Sequence, residues 1–258
     1  MSPTNSWWIV PAPRPWAEVR LLVFPHAGGA TATYRAWAQA LPAAVELCIC
    51  QLPGREARFG EPCLTHVAPA VEAAVASLQQ LAPVAPRLPV ALFGHSLGAL
   101  LAYETARVLT ARASPRPLHL FVSGHRGPHL PRRRPSLHTR CDAELLAALQ
   151  LFGGSPASVL ANPELMRLLL PIIRADLAMA ESYEHQAGEP LACSVTAFGG
   201  ESDPEANQDE LAAWSHQTTG RFRMRLLPGD HFYLQQPQQE KALLEELGQA
   251  LQARATAT

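Results

Sequence analysis

Residues 94–98 read Gly94-His95-Ser96-Leu97-Gly98, a G-x-S-x-G sequence whose neighbours say what it could do. Val90-Ala91-Leu92-Phe93 before it is short, continuously apolar and preceded by a proline, the pattern of a buried strand. From Leu97 onward, Leu97, Leu100 and Leu101 recur at helical spacing among alanines. A serine on a sharp strand-to-helix turn is held in a strained conformation above the carboxyl edge of a sheet. Glycines flank it because side chains would have no room. The helix that follows brings unpaired N–H groups and the positive end of its dipole to the same place. That arrangement suits nucleophilic attack with an oxyanion forming beside the serine.

A serine hydroxyl is a weak nucleophile near neutral pH and needs a base, usually a histidine steered by a carboxylate. Where the serine occupies such a turn, both follow it in the chain, the acid first, at strand ends. "FRMRLLPG" (222–229) reads as the last strand and runs at once into Asp230-His231-Phe232, which makes His231 the candidate base. His66 and His216 fall in helical patterns, and His129, His138 and His185 fall in a helical insert, away from the serine. The preceding strand, "SVTAFGG" (194–200), ends in Glu201-Ser202-Asp203-Pro204, so Asp203 is the candidate orienting carboxylate. A turn or cap acid before Pro204 is the alternative for Asp203, and Asp176 in the insert is the next candidate acid. Asp230 reads as a residue shaping the histidine's loop. One oxyanion donor is the backbone N–H of Leu97. The second is assigned to the N–H of Ala27, in the turn His26-Ala27-Gly28-Gly29 whose glycines let backbone approach the site. A plain strand-to-helix turn needing glycine is the alternative there. Loss of one such donor typically costs about 3 kcal/mol of transition-state stabilisation.

These residues need a scaffold, and the rest of the chain supplies one. Strand patterns at 19–25, 45–51, 118–124, 191–200 and 222–229 join the one before Ser96. Helical patterns at 32–41, 66–82, 97–111, 209–218 and 237–252 alternate with them. This rhythm predicts an α/β fold with a mainly parallel central sheet and helices on both faces. It breaks between Arg126 and about Pro190, where only two helical patterns occur, at 141–152 and 162–184. Asn162-Pro163-Glu164 is a helix start with a cap, a first-turn proline and an early acid, and Pro171 should kink or divide the helix that follows. A helical block inserted in an alternating fold is commonly a lid over a site. The reading is one domain, residues 1–258, with a helical lid at about 126–190. The leucines after Asn162 (Leu165, Leu168, Leu169, Leu170) read first as core-facing residues.

Composition narrows the function. A chain of 258 residues with 48% hydrophobic and 17% charged residues is of globular type, and a net charge of −1 offers nucleic acid or an anionic membrane no electrostatic handle. No run reaches the length of a membrane span, and the start lacks a cationic, then apolar, secretory pattern. Cys48 and Cys50 share one side of a strand, without a second pair that would make a zinc site. The five cysteines therefore read as reduced thiols, and the compartment as cytoplasmic.

The constellation resembles the type II thioesterases of nonribosomal peptide and polyketide assembly lines, an α/β-hydrolase family. The resemblance rests on "LLVFPHAGG", "QLPGREARFGEP" (51–62), "ALFGHSLGALLAYE", "DLAMAESYEH" (176–185), "FGGESDPEA" and "LPGDHFYL", in the family's order over nearly the whole chain. The "PGRE-R" segment is specific to it, since catalysis alone would not demand it. The resemblance implies a stand-alone hydrolase that clears stalled or wrong acyl groups from the phosphopantetheine arm of carrier proteins. Ser96 would attack, His231 act as base, Asp203 orient it, and Ala27 and Leu97 hold the oxyanion. No metal or bound cofactor is implied, because the pantetheine belongs to the substrate. Carrier proteins tend to be acidic, so Arg132, Arg133 and Arg134 could form a docking patch, although a solvated loop is the simpler reading. A monomer is the default. The competing readings are a carboxylesterase or lipase with the same three residues, a terminating domain of a larger synthase, and a non-catalytic hydrolase-like binding protein.

Overall fold

The computed structural model describes residues 6–81, 88–113, 115–154 and 157–255. Its strands are β1 (Trp8–Ile9), β2 (Val19–Phe24), β3 (Val45–Cys50), β4 (Val90–His95), β5 (Pro117–Ser123), β6 (Ser194–Gly200) and β7 (Phe222–Leu227). They form one sheet in the order β1-β3-β2-β4-β5-β6-β7, parallel throughout except for the β1–β3 pair. β3, β4 and β6 are buried along their whole length, which is why, Glu46 and His95 apart, they read as runs of mostly apolar or small residues. β1 is only two residues long and too short to leave a periodic signal.

The helices are α1 (Trp37–Ala40), α2 (Val67–Ser77), α3 (Leu97–Ala111), α4 (Asp142–Phe152), α5 (Ala157–Leu160), α6 (Pro163–Glu181), α7 (Gln208–Ala212) and α8 (Pro237–Ala255). Both faces of the sheet are covered. Leu22, Phe24, Leu92 and Val122 pack with Val71 of α2 and Leu101 of α3 on one side. Leu21, Val23, Phe93 and Phe121 pack with Trp37 of α1 and Leu247 of α8 on the other. Cys48 and Cys50 belong to the first of these layers, where burial pushes both thiols up to about 12.

Three helical patterns resolve into shorter pieces, the 209–218 pattern being α7 followed by a 3₁₀ turn at Ala213–Gln217. The 32–41 pattern is a 3₁₀ turn at Thr31–Tyr34 followed by α1, and the 66–82 pattern is α2 plus a 3₁₀ turn, with Ala82 outside the described residues. Among the described residues no strand lies between β5 and β6, and α4, α5 and α6 fill that segment. Asn162 caps α6, its Oδ1 accepting the Glu164 and Leu165 N–H groups at 3.1 Å. Pro171 does not divide this helix, which runs unbroken to Glu181. The carbonyl it leaves without a donor belongs to Arg167, and both residues are exposed, so water can take the missing bond. The leucines of α6 split: Leu170 is buried with Leu145, Met166 and Ile173, Leu169 faces a cavity, and Leu168 is exposed.

The sheet order carries a consequence for function. After the short edge strand β1, the chain enters the parallel sheet at β2, moves out to β3, then returns past β2 to β4 and continues the other way. The connections of β2 and β4 therefore leave in opposite directions and open a crevice beyond their carboxyl ends, where α/β sheets bind ligands.

Candidate active site

Strand register explains how distant residues meet. Phe24 is paired with Gly94, His95 with Ser123, Ser123 with Phe198 and Gly200 with Leu227. The parallel strands thus end along one rim. The 26–29 turn leaves from β2, Ser96 from β4, Asp203 from the loop after β6, and His231 from the loop after β7.

Ser96 has φ 55° and ψ −120°, a conformation L-residues rarely adopt. It occupies the N-cap position of α3, yet its hydroxyl does not cap the helix. The turn is held instead by backbone: the Ser96 N–H donates to Ser123 O at 2.8 Å and its carbonyl accepts from Ala99 N–H at 2.9 Å. Both flanking glycines are steric necessities. A Cβ on Gly94 would lie 1.8 Å from Gly98 O, and one on Gly98 would lie 2.1 Å from Phe24 O.

His231 Nδ1 is 2.9 Å from Asp203 Oδ2, and the Asp203 side chain is fully buried. The other oxygen, Oδ1, accepts the Glu205 N–H at 2.8 Å, which fixes the carboxylate plane. With Nδ1 committed to Asp203, Nε2 is the nitrogen left for a serine proton. Among the described residues the Ser96 hydroxyl forms no hydrogen bond, a common state before substrate tightens such a site. Asp230 shapes the loop as its position suggested, Oδ1 accepting the Phe232 N–H at 2.9 Å.

A cavity of ≈ 420 Å³ joins these groups, with Ser96, His231, Ala27 and Leu97 in its wall. The Ala27 and Leu97 N–H groups have no protein acceptor among the described residues, so two donors remain for a ligand oxygen. A second cavity of ≈ 430 Å³, against β5–β7 and α8, contains none of these residues. Around His231 lie three other histidines held neutral. Burial lowers His26, takes His95 well below its ordinary value, and brings His125 down to about 4. His95 Nδ1 joins a buried chain through Ser123 Oγ (2.9 Å) to Tyr233 Oη (2.6 Å).

Comparisons with known proteins give the family of the chain. The thioesterase domain family matches residues 19–251. The chain belongs to the thioesterase family. It is 39% identical over 240 residues to the linear gramicidin dehydrogenase LgrE of Brevibacillus parabrevis, covering 92% of this chain and 89% of that one. Among solved structures it resembles the RedJ thioesterase of the prodiginine pathway of Streptomyces coelicolor, with 40% identity, 91% and 86% coverage and a TM-score of 0.84. It also resembles the type II thioesterase BorB from the borrelidin biosynthetic cluster, with 33% identity, 97% and 100% coverage and a TM-score of 0.86. LgrE carries a dehydrogenase name. The turn after β2 in this thioesterase, His26-Ala27-Gly28-Gly29, lacks the G-x-G-x-x-G spacing that seats a dinucleotide on that turn.

Several residues of the thioesterase site were not legible in the sequence. Asp176, the second candidate for the orienting acid, is not bonded to His231. It is fully buried and forms a two-pronged pair with Arg55, with both N···O distances 2.7 Å. Glu56 of the "PGRE-R" segment accepts from the Thr31 and Ala32 N–H groups and the Thr31 hydroxyl, and Arg58 donates to Gln51 O and Glu61. Arg132, Arg133 and Arg134 lie in an exposed loop that also lines the cavity, and each guanidinium meets an acid: Glu181, Glu210 and Glu205 respectively. Their side chains are 43–50% exposed, so these pairs contribute little to stability.

Proposed function

We propose that this thioesterase hydrolyses acyl or aminoacyl thioesters carried on the phosphopantetheine arm of carrier proteins, in the editing of nonribosomal peptide or polyketide synthesis. In this reading Ser96 Oγ attacks the thioester carbonyl carbon as His231 Nε2 takes its proton. The Ala27 and Leu97 N–H groups stabilise the resulting oxyanion. Collapse breaks the C–S bond, the pantetheine sulfur leaves with the proton from His231, and an acyl-serine ester remains. His231 then takes a proton from water, whose oxygen adds to the ester carbonyl, and the carboxylic acid departs as Ser96 is reprotonated. Asp203 keeps the imidazole in the tautomer with Nδ1 protonated and stabilises the imidazolium. No step calls for a metal or a resident cofactor.

The observation that carries the proposal is the meeting of four elements at one cavity: a strained serine, an imidazole bonded to a buried carboxylate, and two unspent backbone donors. The family membership supports the reaction class, and the RedJ and BorB names support the setting. We further read α4–α6 as a lid within a single domain, acidic carriers as the partners, and the cytoplasm as the location. Among the described residues no helix is long and apolar enough to cross a membrane.

The test is hydrolysis of a panel of acylated carrier proteins, from acetyl to aminoacyl, against matched oxygen esters. Preference for the carrier-bound thioester is the expected result. Equal or better turnover of oxygen esters would replace this reading with a general carboxylesterase, and full activity in Ser96→Ala would remove the serine from the chemistry.

A further inference from the structure

We infer that Asp176 and Arg55 are positioning residues for the oxyanion donor Ala27, and that α6 thereby completes the site from outside the sheet. The inference rests on the reading of Ala27 N–H as a donor. His26 O accepts the Gly29 N–H at 2.8 Å, and Gly28 has φ 71°, the left-handed value that the third residue of a type II turn requires. In a trans peptide the C=O and N–H point in opposite directions. Tying His26 O to Gly29 therefore aims the Ala27 N–H the other way.

The remaining freedom lies in the peptide after Ala27, and Asp176 removes it. Its Oδ2 accepts the Gly28 N–H at 2.7 Å. Arg55 holds that carboxylate with two guanidinium nitrogens, and Arg55 Nη1 also donates to Gly29 O at 3.0 Å. One buried pair thus grips the turn at both glycines. The same helix closes on the turn sterically, since a Cβ on Gly28 would lie 2.8 Å from Ile173 Cγ1. Leu169, Ile173 and Leu177 of α6 also line the cavity, so the helix that walls the acyl space carries the carboxylate that sets the donor. A buried ion pair is seldom the most stabilising choice for its volume, because apolar residues of similar size often do as well or better. Its presence is better explained by the direction it imposes on two backbone N–H groups.

The experiment compares wild type with Arg55→Lys, which keeps the charge but loses the two-pronged grip, and with the double variant Arg55→Met/Asp176→Leu, which removes both charges together. Measured for each are thermal unfolding, kcat and KM on an acyl-pantetheine thioester, and Ki for a trifluoromethyl ketone with the same acyl chain. The ketone adds Ser96 and places its oxyanion where the donors act. The double variant should unfold cooperatively, keep KM within about threefold, and lose about 100-fold in kcat, with Ki rising by the same factor. Arg55→Lys should fall on the same proportional line with a smaller loss. A folded double variant with wild-type kcat, or a kcat loss in either variant without the matching rise in Ki, overturns the inference. If the double variant fails to fold, Arg55→Lys alone decides by the same criterion. Ser96→Ala is run in parallel: if it is inactive while the Asp176 and Arg55 variants are unimpaired, only this inference fails, whereas activity in Ser96→Ala would sink the serine mechanism itself.

Discussion

Replacing Gly98 by alanine tests the geometry of the oxyanion site most directly. The added Cβ would lie 2.1 Å from Phe24 O, 2.8 Å from Phe24 C and 2.9 Å from Pro25 O. All three are backbone atoms, so no side chain can rotate away. Real Cβ contacts essentially never fall under 3.0 Å, so the start of α3 must move away from the end of β2 by at least the 0.9 Å shortfall at Phe24 O. Leu97 travels with α3, and Ala27 lies two residues beyond Pro25, so the motion spreads the two donors apart. A displacement near 1 Å is enough to take one donor out of reach of a forming oxyanion, a loss of about 10²- to 10³-fold in kcat. The accompanying overpacking should cost about 1–3 kcal/mol of stability, a fall of a few degrees in Tm. The assay is steady-state hydrolysis of an acyl-pantetheine thioester beside thermal unfolding by circular dichroism. Gly60→Ala is the control, because a Cβ there meets nothing within 4 Å. A folded Gly98→Ala enzyme with kcat within about threefold of wild type would refute the claim that this close approach sets the donor spacing.

Three further outcomes follow from the site. Ser96→Gly should be more stable than Ser96→Ala by about 1 kcal/mol, because glycine relieves the strained φ of 55° at a smaller cost in unfolded-chain entropy; equal melting temperatures would deny the strain. Asp203→Asn should lower kcat by about 10³- to 10⁴-fold with little change in KM. The asparagine oxygen would stay on the Glu205 N–H and its NH₂ would face His231 Nδ1, forcing the proton onto Nε2; a loss under tenfold would refute this. Stability should fall as pH drops from 6.5 towards about 4, because in that window the unfolded chain binds a proton that His125 in the folded protein does not. His125 alone accounts for about 3 kcal/mol, so His125→Gln should flatten the pH dependence of Tm, and an unchanged slope would count against the assignment.

Much of this protein is written locally. The β4–α3 turn could be read because strand, glycine, serine, glycine and helix are consecutive, although only Gly94 answers to a neighbour in the chain (Gly98 O) while Gly98 answers to Phe24 O of β2. His231 and Asp203 could be read because each directly follows a strand, and strands in a parallel sheet end on one rim. Local signals failed where length or partners decide. β1 has too few residues for a period, and Pro171 did not divide α6, where it and Arg167 are both exposed residues. The role of "PGRE-R" was beyond any local reading. Arg55 and Asp176 are 121 residues apart, and nothing near either residue indicates that its partner is the other. Asp176 looked like a spare catalytic acid because its residue type is right, and only packing showed its charge already taken. Sequence therefore determined the chemistry of the groups and the rim on which they emerge, since both follow from residue type and strand direction. Tertiary structure alone decided which charges neutralise each other and which backbone N–H groups stay free, because those depend on contacts between segments that have no relation along the chain.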